Sequence, residues 1–279
     1  VTLDNTDWTL LGNLLSVGPQ DGIDGTTLTI RNGSRLTGTN AELRLERGPP
    51  FAAVTVTGTN SLLRMKTIYV AGSSGNLLSA NKGATLTISN GATVAASTTM
   101  FVYSNGLVRL SNGTVSNATT LGVVGKLEGA GAILGSLEMG NWPGGGLVRP
   151  GGTNGIGLLT VGNLFRMVSA GYKSGRLELE VGGTEPGSGY DQIAVTNAVT
   201  LALGTVSIST VSGFKPPIGV STYDLITGSS LSTNGATVSL PPSGDGVQWS
   251  ISIANLAGGR NALRLTAEAR ARGTVLLVR

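Results

Sequence analysis

Residues 85–94 read Thr85-Leu86-Thr87-Ile88-Ser89-Asn90-Gly91-Ala92-Thr93-Val94. Two other stretches are imperfect copies: Thr27-Leu28-Thr29-Ile30-Arg31-Asn32-Gly33-Ser34-Arg35-Leu36 and Leu107-Val108-Arg109-Leu110-Ser111-Asn112-Gly113-Thr114-Val115. Each has the alternation of a strand with one buried face, then an Asn-Gly corner, then a further apolar residue. A recurring strand–corner–strand unit is the mark of a chain wound into a solenoid, whose coils bury their apolar faces against one another. Leu28 and Ile30, Leu86 and Ile88, and Val108 and Leu110 are then the inward positions, each stacked on its counterpart one coil away. Outward Thr suits such a strand because it is β-branched.

In these three stretches the Asn-Gly pair falls at 32–33, 90–91 and 112–113; the last two are 22 residues apart and the first two 58 apart. A coil of about 20–24 residues lies within the repeat range of solenoids. Asn and Gly both tolerate the left-handed backbone that a coil corner requires. An Asn-Gly pair is equally the favoured two-residue hairpin turn, so antiparallel hairpins are the competing reading. The repeated Thr-Leu-Thr-Ile tips the balance to the solenoid. With neighbouring strands about 4.8 Å apart, ten to twelve coils make a rod on the order of 50 Å long.

Composition agrees with a β protein. The 279 residues include 44 Gly, aromatics are 4% and charged residues 12%, about half the usual charged fraction of a globular domain. The surface must be covered by Thr, Ser, Asn and Gly. An apolar fraction of 40% argues against disorder. Strand candidates bounded by Gly, Asn or Pro recur from end to end, among them Val54–Thr57, Arg176–Val181, Ser221–Ile226, Gln248–Ile253 and Ala262–Thr266. Glu268–Arg272 is the nearest approach to a helical turn, and it is too short to be stable alone. Pattern is lost around Gly140-Asn141-Trp142-Pro143-Gly144-Gly145-Gly146 and Pro150-Gly151-Gly152. The expected organisation is therefore N-terminal coils over 1–140, a Gly/Pro-rich seam over 141–157, and a less regular C-terminal part over 158–279.

At the seam the chain resembles autotransporter passenger domains and the related repeat-bearing surface proteins with autotransporter-associated β-strand repeats. The residues that carry the likeness are Gly125-Lys126-Leu127-Glu128-Gly129-Ala130-Gly131, Val148-Arg149-Pro150-Gly151-Gly152, Gly157-Leu158-Leu159-Thr160-Val161-Gly162, Gly175-Arg176-Leu177-Glu178-Leu179-Glu180-Val181, Gly189-Tyr190-Asp191-Gln192-Ile193-Ala194-Val195 and Leu203-Gly204-Thr205-Val206. Their order is more specific than any single piece. The likeness covers about 125–226. It implies an all-β, right-handed parallel β-helix (β-solenoid), secreted and displayed on a bacterial cell surface, without catalytic residues. It also implies that Asp191 stabilises a turn. The family usually continues into a membrane β-barrel and this chain stops at Arg279, so a processed passenger, or a relative that uses the fold differently, is expected. A sandwich-like cap is expected at the C-terminal end.

The residues offer little chemistry. There is no Cys and no His, which removes disulfides, thiol nucleophiles and the commonest general base and metal ligand. No run of about 18 apolar residues is present, so no helical membrane span is expected. β-helices also serve polysaccharide-active enzymes, which need paired carboxylates or acidic calcium sites. Glu178 and Glu180 share one strand face and both point outward, where a solvated role is more common than a catalytic one. Gly144-Gly145-Gly146 and Gly151-Gly152 lack the Lys-Ser or Lys-Thr of a phosphate loop. Scattered Arg and scarce aromatics argue against nucleic acid. Trp8, Trp142 and Trp249 lie far apart and read as plugs of a core or cap, not as a glycan platform. No catalytic, cofactor-binding or metal residue is assigned, and no cofactor.

The ends are more informative. Residues 1–30 hold Asp4, Asp7, Asp21 and Asp24 and no Lys or Arg, a charge of −4. Residues 260–279 hold five Arg, including Arg270 and Arg272, against Glu268, a charge of +4. The chain finishes in Gly273-Thr274-Val275-Leu276-Leu277-Val278-Arg279, a strongly β-forming apolar stretch. A solenoid exposes unpaired strand edges at its ends, and these invite other strands. The expectation is self-association through Asp4, Asp7, Asp21, Asp24, Arg270, Arg272, Val275, Leu276, Leu277 and Val278. Head-to-tail contacts that do not close on themselves build filaments. The alternatives are a monomeric adhesin binding surfaces or glycans, and, behind it, a polysaccharide-active enzyme.

Overall fold

The computed structural model describes residues 1–18, 26–45, 52–72, 83–117, 119–140, 145–153, 155–168, 174–211 and 213–271. Coil by coil, the strands are β1 (Thr2–Asp4), β2 (Asp7–Thr9) and β3 (Leu14–Val17); β4 (Thr27–Arg31) and β5 (Arg35–Leu45); β6 (Ala52–Thr57) and β7 (Leu62–Val70); β8 (Ala84–Ser89) and β9 (Thr93–Val102); β10 (Gly106–Asn117) and β11 (Thr120–Val123); β12 (Lys126–Ile133) and β13 (Ser136–Met139). They continue as β14 (Leu147–Arg149), β15 (Leu158–Val161) and β16 (Phe165–Met167); β17 (Arg176–Val181), β18 (Gln192–Val195) and β19 (Ala198–Leu201); β20 (Thr205–Thr210), β21 (Gly219–Gly228) and β22 (Ser230–Ser232); and β23 (Thr237–Ser239), β24 (Val247–Asn255) and β25 (Asn261–Ala269).

Pairing between successive coils is parallel and sorts the strands into three rows. Row one runs β1, β4, β6, β8, β10, β12, β14, β17, β20, β23. Row two begins β2, β5, β7, β9 and passes through the ends of β10 and β12 to β15, β18 and β21. Row three runs from β3 through the far halves of β5, β7 and β9 to β11, β13, β16, β19 and β22. Long strands turn the corner between rows at register shifts, as between Gly38 and Glu42 in β5 and between Ser111 and Gly113 in β10. The fold is thus an all-β solenoid. The Asn-Gly pairs of the three repeats do not close antiparallel hairpins; Asn32 (φ 54°) and Gly33 (φ 79°) carry β4 of row one into β5 of row two, and Asn90 (φ 55°) and Gly91 (φ 78°) do the same for β8 and β9.

The inward positions expected from the repeat form one core. Leu28, Val54, Leu86 and Val108 stack in register along row one and are at most 5% exposed. Ile30, Val56, Ile88 and Leu110 form the next column. Burying such a side chain contributes about 1.5–3 kcal/mol, so the stacked columns are the main source of stability. Coil length is less regular than the 20–24 residues expected. Leu107 pairs with Lys126 and Ala52 with Ala84, steps of 19 and 32 residues. Leu147–Arg149, inside the stretch 141–157 expected as a seam, forms β14, and row one runs through it from β12 to β17.

The C-terminal end departs from this scheme. β21 pairs antiparallel with β25, and β25 pairs antiparallel with β24. Of the stretch Glu268–Arg272 considered for a helical turn, Glu268 and Ala269 instead end β25, with Ala269 opposite both Gly219 and Val247, and Arg272 lies outside the described residues.

Candidate functional site

Among the described residues, candidate side chains gather in three places: the two ends of the solenoid and a polar cleft on row one.

At the N-terminal end, Asp4 closes β1. Its carboxylate accepts hydrogen bonds from Asn32 Nδ2 (2.7 Å) and from Arg31 Nε and Nη2 (3.0 and 2.7 Å) of the next coil. The Asn32 bond first, and the Arg31 guanidinium with it, hold the carboxyl below the usual Asp range. Asp4 therefore binds its own chain. Asp7 is exposed and begins β2. Beside it Trp8, 51% exposed, borders an apolar recess of about 420 Å³ floored by Leu15, Val17, Leu28 and Leu36. Trp8 is thus a rim residue, not the plug expected from the sequence, because β2 lies on the outermost coil with no strand beyond it among the described residues. Asp21 and Asp24 lie outside the described residues, as does Trp142.

At the C-terminal end, Arg270 is exposed, and its N–H donates to Gly246 O (3.0 Å). Arg272, Val275, Leu276, Leu277 and Val278 lie outside the described residues. Two other arginines of the basic stretch bind the protein itself. Arg264 forms a two-pronged pair with Asp224 (2.6 and 2.9 Å). Arg260 Nη2 donates to Val195 O (2.8 Å), tying the chain after β24 back to row two.

The cleft, of about 280 Å³, lies where β14, β17 and β20 present their outer side chains. Register places Arg109, Glu128, Arg149 and Glu178 in one column. Arg149 contacts Glu128 (3.4 Å), bonds Glu178 and reaches Thr153 Oγ1 (3.3 Å); Arg176 also pairs with Glu178. Burial pushes the Glu178 carboxyl up, yet the two guanidinium groups outweigh it and leave it below the usual range. Glu180 has no such partner: its Oε2 is buried without a hydrogen bond, and burial pushes its carboxyl up.

Asp191 is 1% exposed and accepts N–H bonds from Gly157 (2.8 Å) and Glu180 (2.9 Å), joining the loop before β15 to β17. Burial pushes its carboxyl up to about 7 against those two bonds, with the Glu180 charge adding to the rise. Its geometry is that of a clamp between coils. The outward direction expected for Glu178 and Glu180 matches their side of β17, but the cleft walls and the Arg149 ladder shield them. That ladder was missed in the sequence because its members are separated by 19, 21 and 29 residues; only the register aligns them.

No family model matches this chain, and no curated protein matches it. No helix among the described residues is long and apolar enough to cross a membrane.

Proposed function

We propose that this chain is a non-enzymatic structural protein of the bacterial cell exterior, a right-handed β-solenoid whose copies join head to tail into a filament or layer. In this reading the antiparallel β21–β25–β24 unit is a partial cap, covering row two while rows one and three stay open among the described residues. The observation that carries the proposal is the pair of open edges. Among the described residues β1 and β3 have partners only on the following coil, and β22 and β23 only on the preceding one. Thr237 N–H donates inward to Gly204 O (2.8 Å), so the N–H of Val238 points to the open side. A second copy can extend row one by laying its β1 on β23. Asp7 at one end and Arg270 at the other favour that direction. Export and surface display follow the resemblance of residues 125–226 to autotransporter passengers. The Arg149 column supports a scaffold role, because its charges are spent between coils.

Negative-stain microscopy and light scattering behind a sizing column test the reading. Rods of several copies are expected, with Val238→Pro or deletion of residues 274–279 shifting the population to monomers. A wild-type chain that stays monomeric at every concentration, or variants that polymerise unchanged, would defeat it.

A further inference from the structure

A groove of about 270 Å³ opens at the C-terminal end between the loop that follows β20 and the loop that joins β23 to β24. Its apolar wall is Phe214, Pro216, Pro242 and Trp249; its rim carries Lys215, Asp245 and the Ser243 hydroxyl. Lys215 and Asp245 face each other at 3.8 Å with side chains 77% and 62% exposed.

The groove is built from the core outward. Tyr223, wholly buried, stands edge-on to Tyr190 (5.5 Å, 82°) and to Phe214 (6.5 Å, 80°), and lies 6.4 Å from the Trp249 ring. Phe214 and Trp249 each pack partly on the core and border the groove as well. The loops are held too. Phe214 N–H donates to Val211 O (3.0 Å), Val247 N–H to Gly244 O (2.9 Å), and Arg270 N–H to Gly246 O (3.0 Å). Asp245 sits at φ 55° in the second of these turns. Pro216 and Pro217 in one loop, and Pro241 and Pro242 in the other, restrict the backbone further. Recognition groups held this way lose little entropy on binding.

We propose that this groove binds one ring of a saccharide. A pyranose has an apolar C–H face and a rim of hydroxyls. The first suits the Trp249 and Phe214 rings; the second suits a carboxylate acceptor and an ammonium donor set side by side. Other ligand classes fit less well. The volume is below the roughly 300–1,000 Å³ of pockets that enclose a drug-sized molecule, which limits the occupant to one ring. Lys215 is balanced by Asp245, which disfavours a phosphate. A proline-rich peptide needs an aromatic-lined groove several residues long.

Calorimetric titration of the 279-residue chain with cellohexaose, chitohexaose, mannohexaose, a decaproline peptide and inorganic phosphate tests the proposal. Saturable binding of at least one of the three saccharides is expected. Trp249→Ala should weaken it about tenfold, the scale of one lost stacking contact. Asp245→Asn and Lys215→Ala, on exposed side chains that cannot unfold the core, should weaken it measurably with unchanged thermal melting. The proposal is overturned if no saccharide binds, if the three variants bind as the wild type does, or if only decaproline or phosphate binds.

Discussion

Arg149 donates through Nε to the Glu178 carboxylate of the following coil, while its Nη1 lies 3.4 Å from Glu128 of the preceding one. The guanidinium is a rivet between three coils. Its side chain is 22% exposed and that of Glu128 10%, so the column is poorly screened by solvent. Replacing Arg149 by Ala leaves two carboxylates facing each other across a half-buried gap. Loss of about 2 kcal/mol is expected, less than the 3–5 kcal/mol of a fully buried pair. Urea unfolding of Arg149→Ala measures it, and the double variant Arg149→Ala/Glu178→Gln should recover part of the loss.

Asp191 makes the fold sensitive to pH. Its folded pKa, about 7, lies above the ordinary Asp value of 3.8. The folded state therefore holds a proton that the unfolded chain has released between those two values, and stability falls as pH rises through that window. Below about 4 and above about 7 this group adds no slope. The carboxyl carbon shift of Asp191 should titrate near neutrality. The pH dependence of melting between 4 and 7 should flatten in Asp191→Asn.

The corner between rows one and two contains a buried hydroxyl step. Ser61, 1% exposed, accepts the N–H of Gly33 at 3.0 Å, and Ser34, fully buried, accepts the N–H of Thr6 at 3.1 Å. The next coil has Ala92 at this position. Ser61→Ala strands a donor and should cost about 1–2 kcal/mol; Ser34→Ala should cost less, since Thr6 lies on the outer coil. Chemical denaturation of both variants gives the comparison.

The repeat around Asn90-Gly91 revealed the row-one columns because identical faces recur there in phase. Coil length was hidden, and the reason is local. Most early variation falls between row three and the next row one: from Val17 to Thr27, Leu45 to Ala52 and Val70 to Ala84, yet only from Val102 to Gly106 and from Val123 to Lys126. Insertions at one corner leave the stack intact, so they carry no periodic signal. The antiparallel order of β21, β25 and β24 was illegible for another reason. Alternation marks a strand's faces but not the direction of its neighbour. Phe214, Tyr223 and Trp249 meet only through that arrangement, so their grouping could not be read from spacing, and Trp249 looked like an isolated plug.

Gly129 shows how little room the stack leaves. It pairs with Leu110 where β12 passes from row one to row two, at φ 101°. A β-carbon there would lie 1.9 Å from Leu110 O, a backbone atom that cannot swing aside. Gly129→Ala therefore combines a disfavoured backbone angle with a clash between coils. A cost of roughly 3 kcal/mol is expected, read as a lowered urea midpoint. Gly33→Ala is the control for backbone strain alone, because a β-carbon at Gly33 (φ 79°) meets nothing within 4 Å. If the two variants lose equal stability, close approach between coils is not what keeps glycine at 129; a larger loss at 129 assigns the difference to the packed seam.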